Sequence, residues 1–582
     1  MRSVWLLLGF VAATPPAPAA DLALLFPAGT LIYAEARDPK AVGVMLAGLV
    51  KGTPWADPTA RAHDWHDKGT QPHQVVGIRG MAAFVAAVTG PELAAELGRL
   101  GGAAVAITGV TPAGEPTVAA VVQFGDCQPA ALAARMFVTA DPDLRRVGTV
   151  EGVPIYQHHR AGYSDGPQPI PRPAPPPAAA ENEPTYALSP RLFVVGSGRA
   201  AVADILARAA GKSADSLLTS PPFAAQSGPR GRPGVYLFTR PAAILAAVEA
   251  PRKGKLDPVL GGLAAVARFV VGVPDMPTLT ATLAVTPAGI ELVGEAALTP
   301  GKPNPVAGLL TGPPTRTTLP PKLPVPATWA VGLALPAGGD RVTAVGAFAD
   351  ALAKANGTLG PPPSARDWGW LADVPGLSAA GVPAQPLPLV VLHANGSAGG
   401  RLANALLQFA AEWTGTDRPA GTELVGGVKV TTFARPGTPP LRVAFGPAGG
   451  AMGSDPAGVA AAVKAPAGPP WDTSLLPDAP LRAQVDWKLA YEQLHWQQVD
   501  ALMNARRPGR RVPVPSVTRG PVPPKSVDPY AVVLAAVKPA AAAAERSPAG
   551  LRFAVRQPFA PADVAALLDA FMTVTTAPAA QP

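Results

Sequence analysis

The segment RLFVVGSGRAAVADILARAAG (191–211) runs an apolar stretch into Gly196-x-Gly198-x-x-Ala201 and then into an amphipathic helix. Glycines at that spacing can bring backbone against a pyrophosphate, which then rests on the free N–H groups of the helix. A dinucleotide site also needs an acidic residue ending the next strand, about twenty residues on. Here KSADSLLTSPPF follows, which is no strand, so Asp215 has no strand end to occupy. The glycines are read as a turn from strand to helix. GYSDG (162–166) has the spacing of a serine nucleophile elbow, which requires a strand before Ser164 and a helix after it. Prolines follow at once, so a linker is expected instead.

Histidines offer a second chemistry. HDWHDKGTQPH (63–73) brings His63, Asp64, His66, Asp67 and His73 together, and YQHHR adds His158 and His159. On a helix, His63 and His66 would share a face and could hold a transition metal with a third ligand from elsewhere. KGTQPH breaks such a helix, and the stretch reads as an exposed polar loop. An envelope hydrolase or metal-dependent enzyme using His63 and His66 stands as the alternative function. No cofactor is expected. The sole cysteine, Cys127, forms no internal disulfide and reads as buried filler.

The third chemistry is positive charge. The formal net charge is +8. Between Asp500 and Asp528 lie Arg506, Arg507, Arg510, Arg511, Arg519 and Lys525 with no acid among them. PRKGKLDP (251–258) supplies Arg252, Lys253 and Lys255 before Asp257-Pro258, as the longer stretch precedes Asp528-Pro529. Two basic loops in corresponding places could grip an anionic envelope component: an acidic polysaccharide, lipid head groups or an acidic protein. The bland alternative is a pair of solvated loops. No aromatic residue interleaves with the arginines between 506 and 519, so a stacking platform for nucleic acid is not expected.

What positions these residues is legible from repetition. AFGPAGGAMGSDPAGVAAAVKA (444–465) resembles the opening segment, with Gly453 on Gly196 and Val459 on Val202. In the same order, Thr328 falls on Thr30, Gly427 on Gly152, Leu475 on Leu217, Pro529 on Pro258 and Pro548 on Pro287. Collinear matches of this kind point to one unit used twice. The first copy carries a proline-rich insert (162–185), and the second carries the basic proline-rich loop (496–528). The expected organisation is a first domain over 21–318 and a second over 319–582.

Each copy mixes strands and helices. Runs such as TLIYAEA, AAVAITGV, TVAAVVQF, RLFVVGS and TLTATLAV read as strands. Helical periodicity marks 91–100, 129–137, 199–210, 342–354, 400–413 and 561–572. The order lacks strict βα alternation. The expected fold class is therefore α+β: two tandem homologous domains, each an antiparallel-rich mixed sheet with helices packed mainly on one face.

Residues 1–20 have a positive start at Arg2, an apolar run over Val4–Ala13 and small residues at Ala17-Pro18-Ala19-Ala20, the pattern of an export signal. No later apolar stretch is long enough to span a membrane, so the mature chain is expected in the periplasm, the cell envelope or outside the cell. Proline, at 74, and glycine, at 60, are frequent, while charged residues make up only 15%. Folded domains joined by stiff loops suit that composition.

The segments Pro27-x-x-Thr30-x-x-Tyr33, Val194 to Ala201 and Ser216 to Phe223 together resemble a family of exported bacterial proteins carrying a domain of unknown function. The similarity covers most of 21–320 and, more faintly, 321–580. It implies no catalytic residue, cofactor or substrate. The expected function is a non-enzymatic binding or structural protein of the envelope.

Overall fold

The computed structural model describes residues 21–57, 98–111, 114–140, 144–158, 183–225, 234–250, 258–286, 288–315, 327–337, 339–357, 374–382, 389–394, 399–416, 418–436, 439–446, 449–464, 468–490 and 537–576. Among them, twenty strands form one sheet. The first ten are β1 (Ile32–Ala36), β2 (Gly102–Val110), β3 (Pro116–Gln123), β4 (Leu144–Val150), β5 (Val153–His158), β6 (Thr185–Leu188), β7 (Leu192–Gly196), β8 (Val235–Thr239), β9 (Leu279–Thr286) and β10 (Gly289–Ala297). The rest are β11 (Trp329–Ala334), β12 (Gly376–Val382), β13 (Leu389–Ala394), β14 (Gly421–Val425), β15 (Val428–Phe433), β16 (Leu441–Gly446), β17 (Gly449–Gly453), β18 (Leu481–Val485), β19 (Ala540–Arg546) and β20 (Gly550–Gln557).

Across the sheet the order is β4-β5-β6-β7-β3-β2-β1-β8-β9-β10, then β20-β19-β18-β11-β12-β13-β17-β16-β15-β14. Every pairing is antiparallel. The second ten strands repeat the order of the first ten in reverse, and β10 lies against β20 at the centre. The two runs of strands thus share one continuous sheet rather than forming two.

Local chemistry explains the matching corners. The β4–β5 turn has Glu151 at φ 50° and Gly152 at φ 75°, and the β14–β15 turn has Gly426 at φ 54° and Gly427 at φ 80°. Two left-handed residues make the primed turn whose twist suits a hairpin. Gly196 ends β7 where a Cβ would come within 2.8 Å of Val202 Cγ2, so a side chain there would collide with the following helix. At Gly453 the corresponding Val459 Cγ2 would lie 3.5 Å away.

Eight helices matter below: α1 (Pro39–Val50), α2 (Gln128–Ala140), α3 (Arg199–Ala209), α4 (Pro305–Leu309), α5 (Gly339–Gly357), α6 (Gly399–Thr414), α7 (Pro456–Lys464) and α8 (Pro561–Thr576). They cover both faces. Helix α7 packs with Val391, Val430 and Ala451, whereas α6 packs with Leu392, Phe433 and Val443 on the opposite face. Neighbouring strand residues point to opposite faces, and here both sets are apolar and need cover. Helices also cross the centre of the sheet. Helix α4 follows β10 and packs on α5 of the second run, and α8 follows β20 and packs on α1 of the first. Trp55 Nε1 donates to Asp569 Oδ1 on α8 at 2.8 Å.

The two runs differ inside. The first is filled by Phe26, Tyr33, Phe223, Tyr236 and Phe238, with edge-to-face ring centroids 5.0–6.1 Å apart. Equivalent positions follow from shared bonds. Leu31 N donates to Ile107 O on β2 and Leu31 O accepts from Arg240 N; Thr328 N donates to Gly381 O on β12 and Thr328 O accepts from Asp486 N. Leu31, rather than Thr30, therefore occupies the place of Thr328, because a one-residue slip would turn every side chain of the strand to the other face. By the same bonds, Tyr236 and Phe238 of β8 correspond to Arg482 and Gln484 of β18.

Candidate functional site

Most sequence-derived candidates lie outside the described residues: the export segment 1–20, His63, His66 and His73, Ser164, the insert from 162 to 182, the basic residues Arg252, Lys253 and Lys255, and Arg506, Arg507, Arg510 and Arg511. His158 ends β5 opposite Leu144. Cys127 is buried. Among the described residues, no group of three or more His, Cys, Asp or Glu side chains is placed to hold a metal ion. The opening motif is a structural corner. Gly198 has φ −172°, open to any residue, and Ser197 is stitched to β3 through Ser197 N to Val118 O at 2.9 Å and Val118 N to Ser197 Oγ at 3.0 Å. At the corner after β17, Asp455 accepts from Ala457 N and Gly458 N at 3.1 and 2.8 Å, capping α7 with its carboxylate.

A cleft of about 1050 Å³ opens beside the β10–β20 junction, between α4, α5, the β19–β20 turn and a π-helical segment, Val266–Val271. Wide i→i+5 turns of this kind are rare and concentrate at functional sites. Gly272 ends the segment at φ 73°, and a Cβ there would lie 2.4 Å from Asn304 Nδ2. Asn304, 8% exposed, fixes the wall: Nδ2 donates to Val271 O, and Oδ1 accepts from Ala307 N to cap α4, both at 2.9 Å. Thr299 N and Oγ1 both donate to Asp275 O, at 2.9 and 3.0 Å, tying the chain after β10 to the segment after the π-helix.

Among the described residues the lining carries the cations Arg268, Lys302, Lys354 and Arg546 and the carboxylates Asp275, Asp340 and Asp350. Arg268 pairs with Glu249. Among the described residues Lys302, Lys354 and Arg546 have no carboxylate within 4 Å and are exposed, so their charge is open to a ligand. No sequence motif marked these residues. They come from four distant segments, and only the packing of α4 on α5 next to the β19–β20 turn collects them.

A second polar group lies inside the second run. Ser378 and His393 are direct register partners on β12 and β13. Ser378 Oγ and His393 Nδ1 are buried with no hydrogen-bond partner among the described residues, and burial pulls the His393 pKa below its ordinary value. At 2% exposure Ser378 is closed to a substrate, and no bond links it to the imidazole. The pair lacks the exposed, hydrogen-bonded nucleophile that acyl transfer needs.

Fold and cleft together define an α+β protein on one antiparallel sheet with a mixed-charge groove beside its central strands. No family model matches the chain, and no curated protein matches it. Among solved structures, crystal form III of TP0453 is similar at a TM-score of 0.26 and 10% identity, over 51% of this chain and 87% of that one. Crystal form IV of TP0453 gives 0.25 and 11%, over 51% and 85%.

Proposed function

We propose that this chain is an exported, non-enzymatic binding protein of the bacterial envelope, built from two related halves, and that its ligand is an anionic envelope component. The carrying observation is the cleft of about 1050 Å³, where Lys302, Lys354 and Arg546 have no carboxylate partner among the described residues. Cations in a concave, partly apolar wall focus potential toward an anion, and the carboxylates Asp275, Asp340 and Asp350 would restrict which charge patterns fit. The mirrored strand order supports the reading of two related halves. Export through residues 1–20 is supported by the sequence pattern. Asp21 accepts from Ala23 N at 3.0 Å and pairs with Arg37 at 2.7 Å, so cleavage after Ala20 would leave that contact intact. No helix among the described residues is long and apolar enough to cross a membrane.

The test is titration of the full chain with a sulfated polysaccharide and, for comparison, its neutral parent. Binding to the sulfated form only, weakening as salt is raised, is expected. Reversal of Lys302, Lys354 and Arg546 to Glu should weaken it by roughly tenfold or more. Equal affinity for the neutral polymer, or an unchanged affinity after the triple reversal, would end the proposal.

A further inference from the structure

The strands that meet at the centre of the sheet are counterparts in the repeat. TPAGIELVGEA places Glu291 and Glu295 on β10 where SPAGLRFAVRQ places Arg552 and Arg556 on β20. In the antiparallel register Val293 faces its own counterpart, Ala554, so a pseudo-twofold axis passes between them. That axis puts Glu291 opposite Arg556 and Glu295 opposite Arg552.

The contacts follow this order. Arg556 Nη2 lies 2.7 Å from Glu291 Oε1, and its Nη1 lies 3.4 Å from Asp472 Oδ2. Glu295 accepts from Ser547 Oγ, Arg552 pairs with Glu545 at 3.4 Å, and Glu295 and Arg552 line one pocket of about 350 Å³. Backbone approach obeys the same symmetry. A Cβ on Gly289 would meet Gln557 O at 2.2 Å and Phe559 N at 2.8 Å, and one on Gly550 would meet Ala296 O at 2.0 Å and Leu298 N at 2.9 Å.

We infer that the opposite charges on β10 and β20 select the partner at this seam: each half joins the other half of its own chain and rejects the matching half of a second copy. The reasoning concerns the register alone and holds whatever the cleft binds. With the same twofold register, β10 against β10 of another copy would set Glu291 opposite Glu295, and β20 against β20 would set Arg552 opposite Arg556. Like charges placed opposite one another destabilise an antiparallel pair. Without that discrimination, a seam made from equivalent strands is open to exchange between chains, the route by which swapped dimers form.

The full chain allows a test at constant net charge. In E295R/R556E the two positions within one chain become Glu–Glu and Arg–Arg, while β10–β10 and β20–β20 pairs between copies become complementary. E291R/R552E does the same through the other two positions. Both variants are expected to form a dimer that the wild-type chain lacks, seen by light scattering across a wide concentration range. E295Q/R556Q, which removes charge without creating new pairs, is expected to keep the wild-type mass. Should both swapped variants keep that mass, or should the glutamine variant dimerise equally, charge order does not choose the partner.

Discussion

Val293 and Ala554 face each other across the centre of the sheet, each on the innermost strand of its run of ten. Everything beside them is duplicated in kind. The β9–β10 turn rests on the chain after β20, and the β19–β20 turn rests on the chain after β10. The glycines that close these turns leave no room for a methyl group.

Substitution of Gly289 or Gly550 by alanine should therefore destabilise the chain by about 1–3 kcal/mol each, since the obstacle is backbone rather than a side chain that can swing aside. Gly289 adds the strain of φ 133°. Gly48 in α1 is the contrasting site, with no atom within 4 Å of a Cβ, and Gly48→Ala should raise stability by about 0.4–1 kcal/mol. Denaturant midpoints of the three variants measure this. Equal effects at Gly48 and Gly289 would show that the seam is looser than described.

Arg482 is a large charged side chain held in the interior, 1% exposed. Its Nε donates to Thr315 Oγ1 at 2.7 Å, and its Nη atoms donate to the carbonyls of Asp472, Leu475, Leu476 and Pro477 at 2.8–3.1 Å. Arg482→Leu would take this donor from the buried Leu475 carbonyl and from the part-buried carbonyls of Asp472, Leu476 and Pro477, a loss of about 3 kcal/mol. Arg482→Lys should recover little, because one ammonium cannot reproduce the planar fork. Limited proteolysis of the 472–477 segment reads out the result. A lysine variant as resistant as wild type would contradict this role.

Legibility varied by kind of feature. The strand-to-helix corner at Gly196 could be located in the sequence because it is set by local backbone geometry. The helices read over 129–137 and 400–413 emerged as α2 and α6, with the ends displaced by one to three residues. The pairing of β10 with β20 was not legible, since periodicity reports which face a residue takes and not which strand lies beside it. For the same reason the cleft was missed: Arg268, Lys302, Lys354 and Arg546 share no local pattern. The polar interior of the second run was also hidden, because Arg482 and Gln484 alternate with apolar neighbours as exposed residues would.

The half-buried His393 gives the chain a dependence on acidity. Burial disfavours the imidazolium, so the folded chain holds this side chain neutral at pH values where an unfolded chain would protonate it. Below the ordinary value of 6.5 the unfolded state therefore binds more protons, and stability falls as pH drops through 6.5 toward the depressed native value. Above 6.5 both states are neutral at this site and the contribution is flat. The thermal midpoint should decline between pH 7.5 and 5.5, and His393→Gln, which cannot take up the proton, should flatten that decline. An identical slope in the variant would assign the acid sensitivity to other groups and leave His393 without influence on folding.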